Sequence, residues 1–288
     1  MLLPPPAKAI LVSLARLTLA ALLVLLLGLP SRPAWAQEHR YRVHGLEAFD
    51  RGEQERLVRW LHHAVEATRN TLGPYPFDVD LYLYRRPANE PVPHAHTWRG
   101  GGQSVHFYVD PGHPLPRFIE DWTAYHEIAH LALPYLGERQ AWFAEGFASY
   151  LQYQIMADAG LLQETPLARY RRLLRPHLHH YQTRAGAAQT AQRLMARHNY
   201  PAAYWGGAWF FVLADEALQS RYGSRLTALL GEYLACCRRH DRSLSQVIAS
   251  LDRLLNDTLF RDLLTQFERR PARELINRRE LRRAGADN

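Results

Sequence analysis

The sequence predicts an α+β fold, a small mixed β-sheet followed by helices, and three observations carry that expectation. Val79-Asp-Leu-Tyr-Leu-Tyr84, His94-Ala-His-Thr-Trp98 and Ser104 to Asp110 read as short strands separated by turns rich in Pro and Gly. Two apolar segments with helical spacing come next, one around Phe118 to Leu133 and one beginning near Ala141. From Leu161 onward the pattern is helical throughout. Strands grouped before helices indicate segregated α+β packing rather than alternating βα units.

Taken in order, residues 1–36 have the anatomy of a secretory signal. Lys8 and Arg16 make a basic start, Leu17 to Leu29 is an apolar run short for a bilayer, and Ala34-Trp-Ala36 is a small-x-small cleavage site. The expected mature chain starts at Gln37, has no membrane span, and is periplasmic or secreted. It divides into an N-terminal α+β lobe, 37–160, and a helical C-terminal lobe, 161–288, within one compact unit. Three basic and no acidic residues lie in 1–36, so the formal charge of +7 falls to +4 for the remainder. That is too small to indicate nucleic-acid binding.

Glu53 to Leu72 has helical spacing and stops before Gly73-Pro74-Tyr-Pro76. Further helices are expected at Pro166 to Leu174, Pro201 to Leu218, Arg225 to Arg239 and Ser243 to Leu255, the last with a capping box of Ser243 and Gln246. Arg269 to Asn288 reads as a fraying, solvated tail. Cys236 and Cys237 are adjacent in an apparent helix, where neighbouring side chains diverge. They are expected to be small packing residues rather than a disulfide.

The chemistry is concentrated in Trp122-Thr-Ala-Tyr-His126-Glu127-Ile-Ala-His130. On a helix, positions i and i+4 stack on one face, so His126 and His130 can offer two imidazoles to one metal, with Glu127 beside the same ion. Phe118, Ile119, Trp122, Ala129, Leu131 and Leu133 place the motif on a largely buried helix. Burying two unpaired histidines and a glutamate there is costly, and a metal offsets that cost. A third histidine in the HExxHxxGxxH pattern is excluded, because Leu133 and Leu136 stand at the required Gly and His. Pro134 and Gly137 end the first helix, and a second helix from Ala141 can fold back to bring Glu145 to the metal. Glu145 is flanked by Trp142, Phe143, Phe147 and Tyr150, which is not the setting of a solvated acid. Three protein ligands and an open position describe a catalytic zinc site.

With both blocks in view, HEIAH at 126–130 and W-F-x-E-G-F-A at 142–148, the chain resembles the gluzincin metallopeptidases. The likeness is greatest to the compact peptidase MA-like domains related to the glycyl and alanyl aminopeptidases. The resemblance implies a thermolysin-like minimal metallopeptidase in which His126, His130 and Glu145 hold Zn2+ and Glu127 is the general base. It extends loosely from about residue 50 to about 270. Tyr204-Trp-Gly-Gly-Ala208 is similar to the family helix that begins near a tyrosine followed by small residues, which makes Tyr204 the candidate catalytic phenol and Tyr200 its competitor. The larger aminopeptidases have Lys where this chain has Gly206. They also grip the substrate's amino group with the glutamate of a Gly-Ala-Met-Glu-Asn strand, and the strand taken as its counterpart, Gly100 to Val109, contains no acid. The expected activity is therefore zinc-dependent hydrolysis of peptide or protein substrates at internal bonds. Two readings compete with it: a zinc-containing module that binds peptide or cell-wall material without turnover, and a zinc hydrolase of another amide or ester.

Overall fold

A computed structural model of the chain describes residues 41–279 and 281, so the predicted signal segment lies outside the described residues. The architecture is α+β: a four-stranded mixed sheet with one long helix between its first two strands, then helices after the last strand. Strands β1 (Tyr41–His44), β2 (Val79–Arg85) and β4 (Ser104–Val109) run parallel, and β3 (His94–Trp98) pairs antiparallel with β4, giving the order β1-β2-β4-β3. Helix α1 (Arg51–Leu72) connects β1 to β2 and starts with a full capping box, Asp50 accepting from the Glu53 N–H and Glu53 from the Asp50 N–H.

The sheet alternates as a half-buried sheet should. Leu81, Leu83, Val105 and Phe107 point inward, where Trp60 of α1 meets Phe107 at 5.2 Å and Phe118 at 5.0 Å. The other face carries a row of stacked rings, one from each strand: His44, Tyr82, His106 and His96, with centroids 4.5, 4.6 and 4.8 Å apart.

The helices that follow are α2 (Leu115–Glu120), α3 (Thr123–His130), α4 (Ala141–Asp158), α5 (Pro166–Leu174), α6 (Ala187–Ala196), α7 (Tyr200–Tyr222), α8 (Leu226–Cys236), α9 (Leu244–Leu255), α10 (Leu259–Arg269) and α11 (Ala272–Leu275). Helix α4 is buried on nearly every side, and α7 packs against it in backbone contact. A Cβ at Gly146 would lie 2.3 Å from the Gly207 carbonyl carbon, and one at Gly207 would lie 2.4 Å from the Trp142 oxygen. Only glycine at both positions permits this crossing. Among the described residues no helix is long and apolar enough to cross a membrane.

Four expectations are corrected. Cys236 and Cys237 form a disulfide, because α8 ends at Cys236 and Cys237 leaves helical geometry at φ −125°, so the two side chains are no longer splayed by helical rotation. The tail is not solvated from Arg269: Ala272 and Ile276 are fully buried, and a bridge joins Gly186 to Pro271. The first apolar helix is two helices, since Asp121 adopts an extended backbone between α2 and α3 and turns Trp122 outward to 44% exposure. Ser243 caps α9 by accepting from the Gln246 N–H, but the Gln246 amide oxygen accepts from Arg242 N–H instead of closing a capping box.

Candidate metal centre

Helix α3 places His126 and His130 one turn apart on the face turned toward α4. Two tyrosines fix that helix: Tyr125 donates to the Ile119 carbonyl at 2.8 Å, and Tyr75 donates to the Ile128 carbonyl at 2.8 Å. After His130 the chain turns through Pro134 and Gly137, the latter at φ 81°, and enters α4 by a short 3-10 turn at Glu138–Gln140. Glu145 then sits in the second turn of α4, opposite both histidines.

Three donor atoms converge. His126 Nε2 lies 3.2 Å from His130 Nε2 and 3.3 Å from Glu145 Oε2, and His130 Nε2 lies 3.4 Å from the same oxygen. Tetrahedral coordination with bonds of about 2.0–2.1 Å puts ligand atoms roughly 3.3 Å apart, so these separations fit a zinc-sized ion. Both histidines are nearly inaccessible, and among the described residues this is the one group of three His, Cys, Asp or Glu side chains whose donor atoms meet. His126 Nδ1 donates to Gln152 Oε1 at 2.7 Å, which leaves its Nε2 lone pair aimed at the centre, while His130 Nδ1 is buried without a partner. Burial raises the Glu145 carboxyl, but the facing charge of His130 and hydrogen bonds from both imidazoles outweigh it and hold the group ionised, well below the usual carboxylate range. The donor set is therefore two imidazoles and an ionised carboxylate, ligand types that zinc takes.

The centre opens into a cleft of about 560 Å³. Glu127 lines it, with its Oε2 accepting from Thr97 Oγ1 of β3 at 2.7 Å. Tyr204 lines it from the second turn of α7, its ring 6.0 Å from His126 and its phenol within the field of the Glu145 carboxylate. Burial first, and the neighbouring Glu145 second, push the Tyr204 phenol well above its ordinary range and keep its proton in place. Tyr200 stands at the rim, 41% exposed and 6.0 Å from Tyr204. The α4–α7 crossing produces this arrangement, because Gly207 against Gly146 sets Tyr204 beside Glu145.

The strand facing the centre is β3, not the Gly100 to Val109 segment. Both edges of β4 are occupied, by β2 and β3, whereas β3 turns back and keeps one edge free toward the cleft. Strand β3 also lacks an acid. Glu90 and Asp121 do line the cleft, near the start of α3, and neither stood out in the sequence. Thr97, Arg99 and Gln152 were likewise not singled out. Gln152 carried a signal, lying two helical turns after Glu145 and so on the same face. His94 and His96 share the outer face of β3, 5.7 Å apart, and no third donor converges on them among the described residues.

No family model matches the chain, and no curated protein matches it in sequence. Among solved structures the chain is similar to an M1 zinc metallopeptidase from Deinococcus radiodurans, in a mutant form bound to a Tyr-Ser-Ala substrate. The TM-score is 0.49 with 17% identity, over 80% of this chain and 48% of that one. A second structure, of an M1 zinc metallopeptidase from the same organism, gives a TM-score of 0.43 and 19% identity with the same coverages. This chain thus spans about half the length of those structures.

Proposed function

We propose that this protein is an exported, zinc-dependent peptidase of the gluzincin type that cleaves internal peptide bonds. The observation that carries the proposal is the convergence of His126, His130 and Glu145 within 3.2–3.4 Å of one another, in a cleft that also holds Glu127 and Tyr204. His126, His130 and Glu145 would hold the ion. Bound zinc supplies a Lewis acid that polarises a carbonyl and lowers the pKa of water toward 7.

The remaining steps belong to the chain's own groups. Glu127, oriented by the Thr97 hydroxyl, takes the proton of the attacking water and later returns it to the leaving amine. The Tyr204 phenol, kept protonated by its surroundings, donates to the oxyanion that forms at the attacked carbonyl. The free edge of β3 offers backbone N–H and C=O groups to an extended peptide. Preference for internal bonds follows from the absence of an acid in β3, and export from the signal-like anatomy of residues 1–36.

The experiment is metal analysis of the purified protein together with hydrolysis of a broad peptide library, with and without a chelator. About one zinc per chain and chelator-sensitive cleavage are expected. Bound zinc with no cleavage of any peptide would instead leave a binding module or a hydrolase of other amides or esters.

A further inference from the structure

Arg99 follows β3 into the cleft and ends beside the last turn of α3, where its Nη1 donates to the His130 carbonyl at 2.9 Å. Its Nε is buried without a partner, and among the described residues Arg99 has no ion pair. The charges it faces are Glu127 and Glu145. On the proposed reading those two carboxylates balance a divalent ion, so the guanidinium charge is left uncompensated in a site largely removed from water. An arginine in that position is costly unless an anion completes it.

The neighbouring arginine does not share this state. Arg238 donates from Nε to the Leu131 carbonyl at 2.9 Å and from Nη2 to Gln103 at 3.0 Å, and it lies over the Phe77 ring. It is a structural clamp, and its charge behind Arg99 adds to the positive field. The other end of the cleft has the opposite sign. Asp121, whose Oδ1 accepts from the Thr123 N–H at 2.8 Å, and Glu90 lie where α3 begins, one helix length of about 12 Å from the Arg99 end. An acidic ligand group is repelled there and drawn to Arg99.

We propose that Arg99 is the specificity residue of this cleft, binding a carboxylate of the peptide substrate, either an acidic side chain or the free C-terminus, on the His130 side of the bond to be cut. The proposal rests on the peptidase reading for the identity of the ligand, and its geometry is the planar fork that pairs with carboxylates.

The test is calorimetric titration of zinc-loaded Glu127→Gln protein, which keeps the metal ligands and Arg99 and whose turnover is slowed by a factor on the order of 10² or more. Three matched peptides are used: one with a central Glu and an amidated end, one with Gln and a free carboxyl end, and one with Gln and an amidated end. One of the first two should bind roughly 10- to 100-fold more tightly than the third, and which one identifies the source of the carboxylate. Adding Arg99→Gln should abolish the preference, and Arg99→Lys should restore part of it. Because Arg99 also closes the end of α3, zinc content and thermal melting are recorded for each variant, while the three-peptide comparison with Arg99 intact needs no substitution there. Equal affinities for the three peptides, binding of none of them, or a carboxylate preference that survives Arg99→Gln would each overturn the proposal. Turnover is judged separately: Arg99-dependent binding by a protein whose native form cleaves nothing keeps the carboxylate site and removes the peptidase reading.

Discussion

At the scale of single residues, the centre divides into groups whose roles can be separated by substitution. Glu127→Gln preserves shape and removes the base, so zinc should stay and hydrolysis should fall by a factor on the order of 10² or more. Tyr204→Phe should keep zinc and near-normal substrate binding while turnover drops roughly 10²-fold, and full turnover would move the role to Tyr200 or to no tyrosine. Gln152→Leu removes the acceptor of His126 Nδ1 without touching a ligand. Competition with a chromogenic chelator should show metal affinity lowered about 10- to 100-fold, and an unchanged affinity would mean that packing alone orients the ring. His126, Glu127, His130 and Glu145 were legible because their placement needs only helical arithmetic and one turn. Arg99 and Thr97 were not, since their approach to the centre depends on β3 reversing direction against β4, which no local spacing encodes.

At the scale of elements, the α4–α7 crossing is the joint on which the cleft is built. Gly207→Ala drives a methyl into the Trp142 carbonyl, and the expected cost is about 3 kcal/mol, the upper end of overpacking, with Tyr204 displaced. A chemical-denaturation midpoint equal to that of the native protein would show that the helices can part freely. The β1–β2 pairing carries a different test. Hydrogen bonds from Arg42, and then His44, hold the Asp80 carboxyl down at about 2 against the opposing effect of burial. Since the folded group titrates below its unfolded value of about 3.9, its contribution is complete above that value and is lost as pH falls toward about 2. The difference in denaturation midpoint between native protein and Asp80→Asn should therefore shrink through that window; a constant difference would assign the effect to shape. Some elements escaped sequence reading for physical reasons. Strand β1 is four residues long with one side open, and α6 is built on alanine, whose weak hydrophobic contrast leaves little periodicity to read. Helix α10 was not singled out in the sequence, although Phe260, Leu263, Leu264 and Phe267 have helical spacing, and its burial of Phe260 and Phe267 anchors the segment expected to fray.

At the scale of the whole molecule, the reading of the site makes two further claims on behaviour. With no acid in β3, peptides blocked at the amino end should be cleaved at least as well as free ones; strong preference for unblocked aminoacyl substrates would give Glu90 or Asp121 the amino-gripping role instead. Mass spectrometry of protein from a secreting host should find a terminus at Gln37, and retention of Met1 in a membrane fraction would make the first segment an anchor. The α+β class itself was legible from the grouping of strands before helices, while strand order and the position of the free edge are properties of pairing that emerge only in three dimensions.

The clamp on the end of α3 bears on how the molecule comes into being. His126, His130 and Glu145 all lie before residue 146, but the arginine that closes the Leu131 carbonyl is synthesised 107 residues after it, and the phenol near Glu145 also follows. A growing polypeptide therefore exposes all three ligands before two of the groups around them, Tyr204 and Arg238, exist. On the zinc reading, stable capture of the ion would then be a late step of maturation, completed once the segment carrying Arg238 has docked. A ribosome-stalled or truncated chain ending near Gly223 would carry the whole coordination set and still release its metal readily.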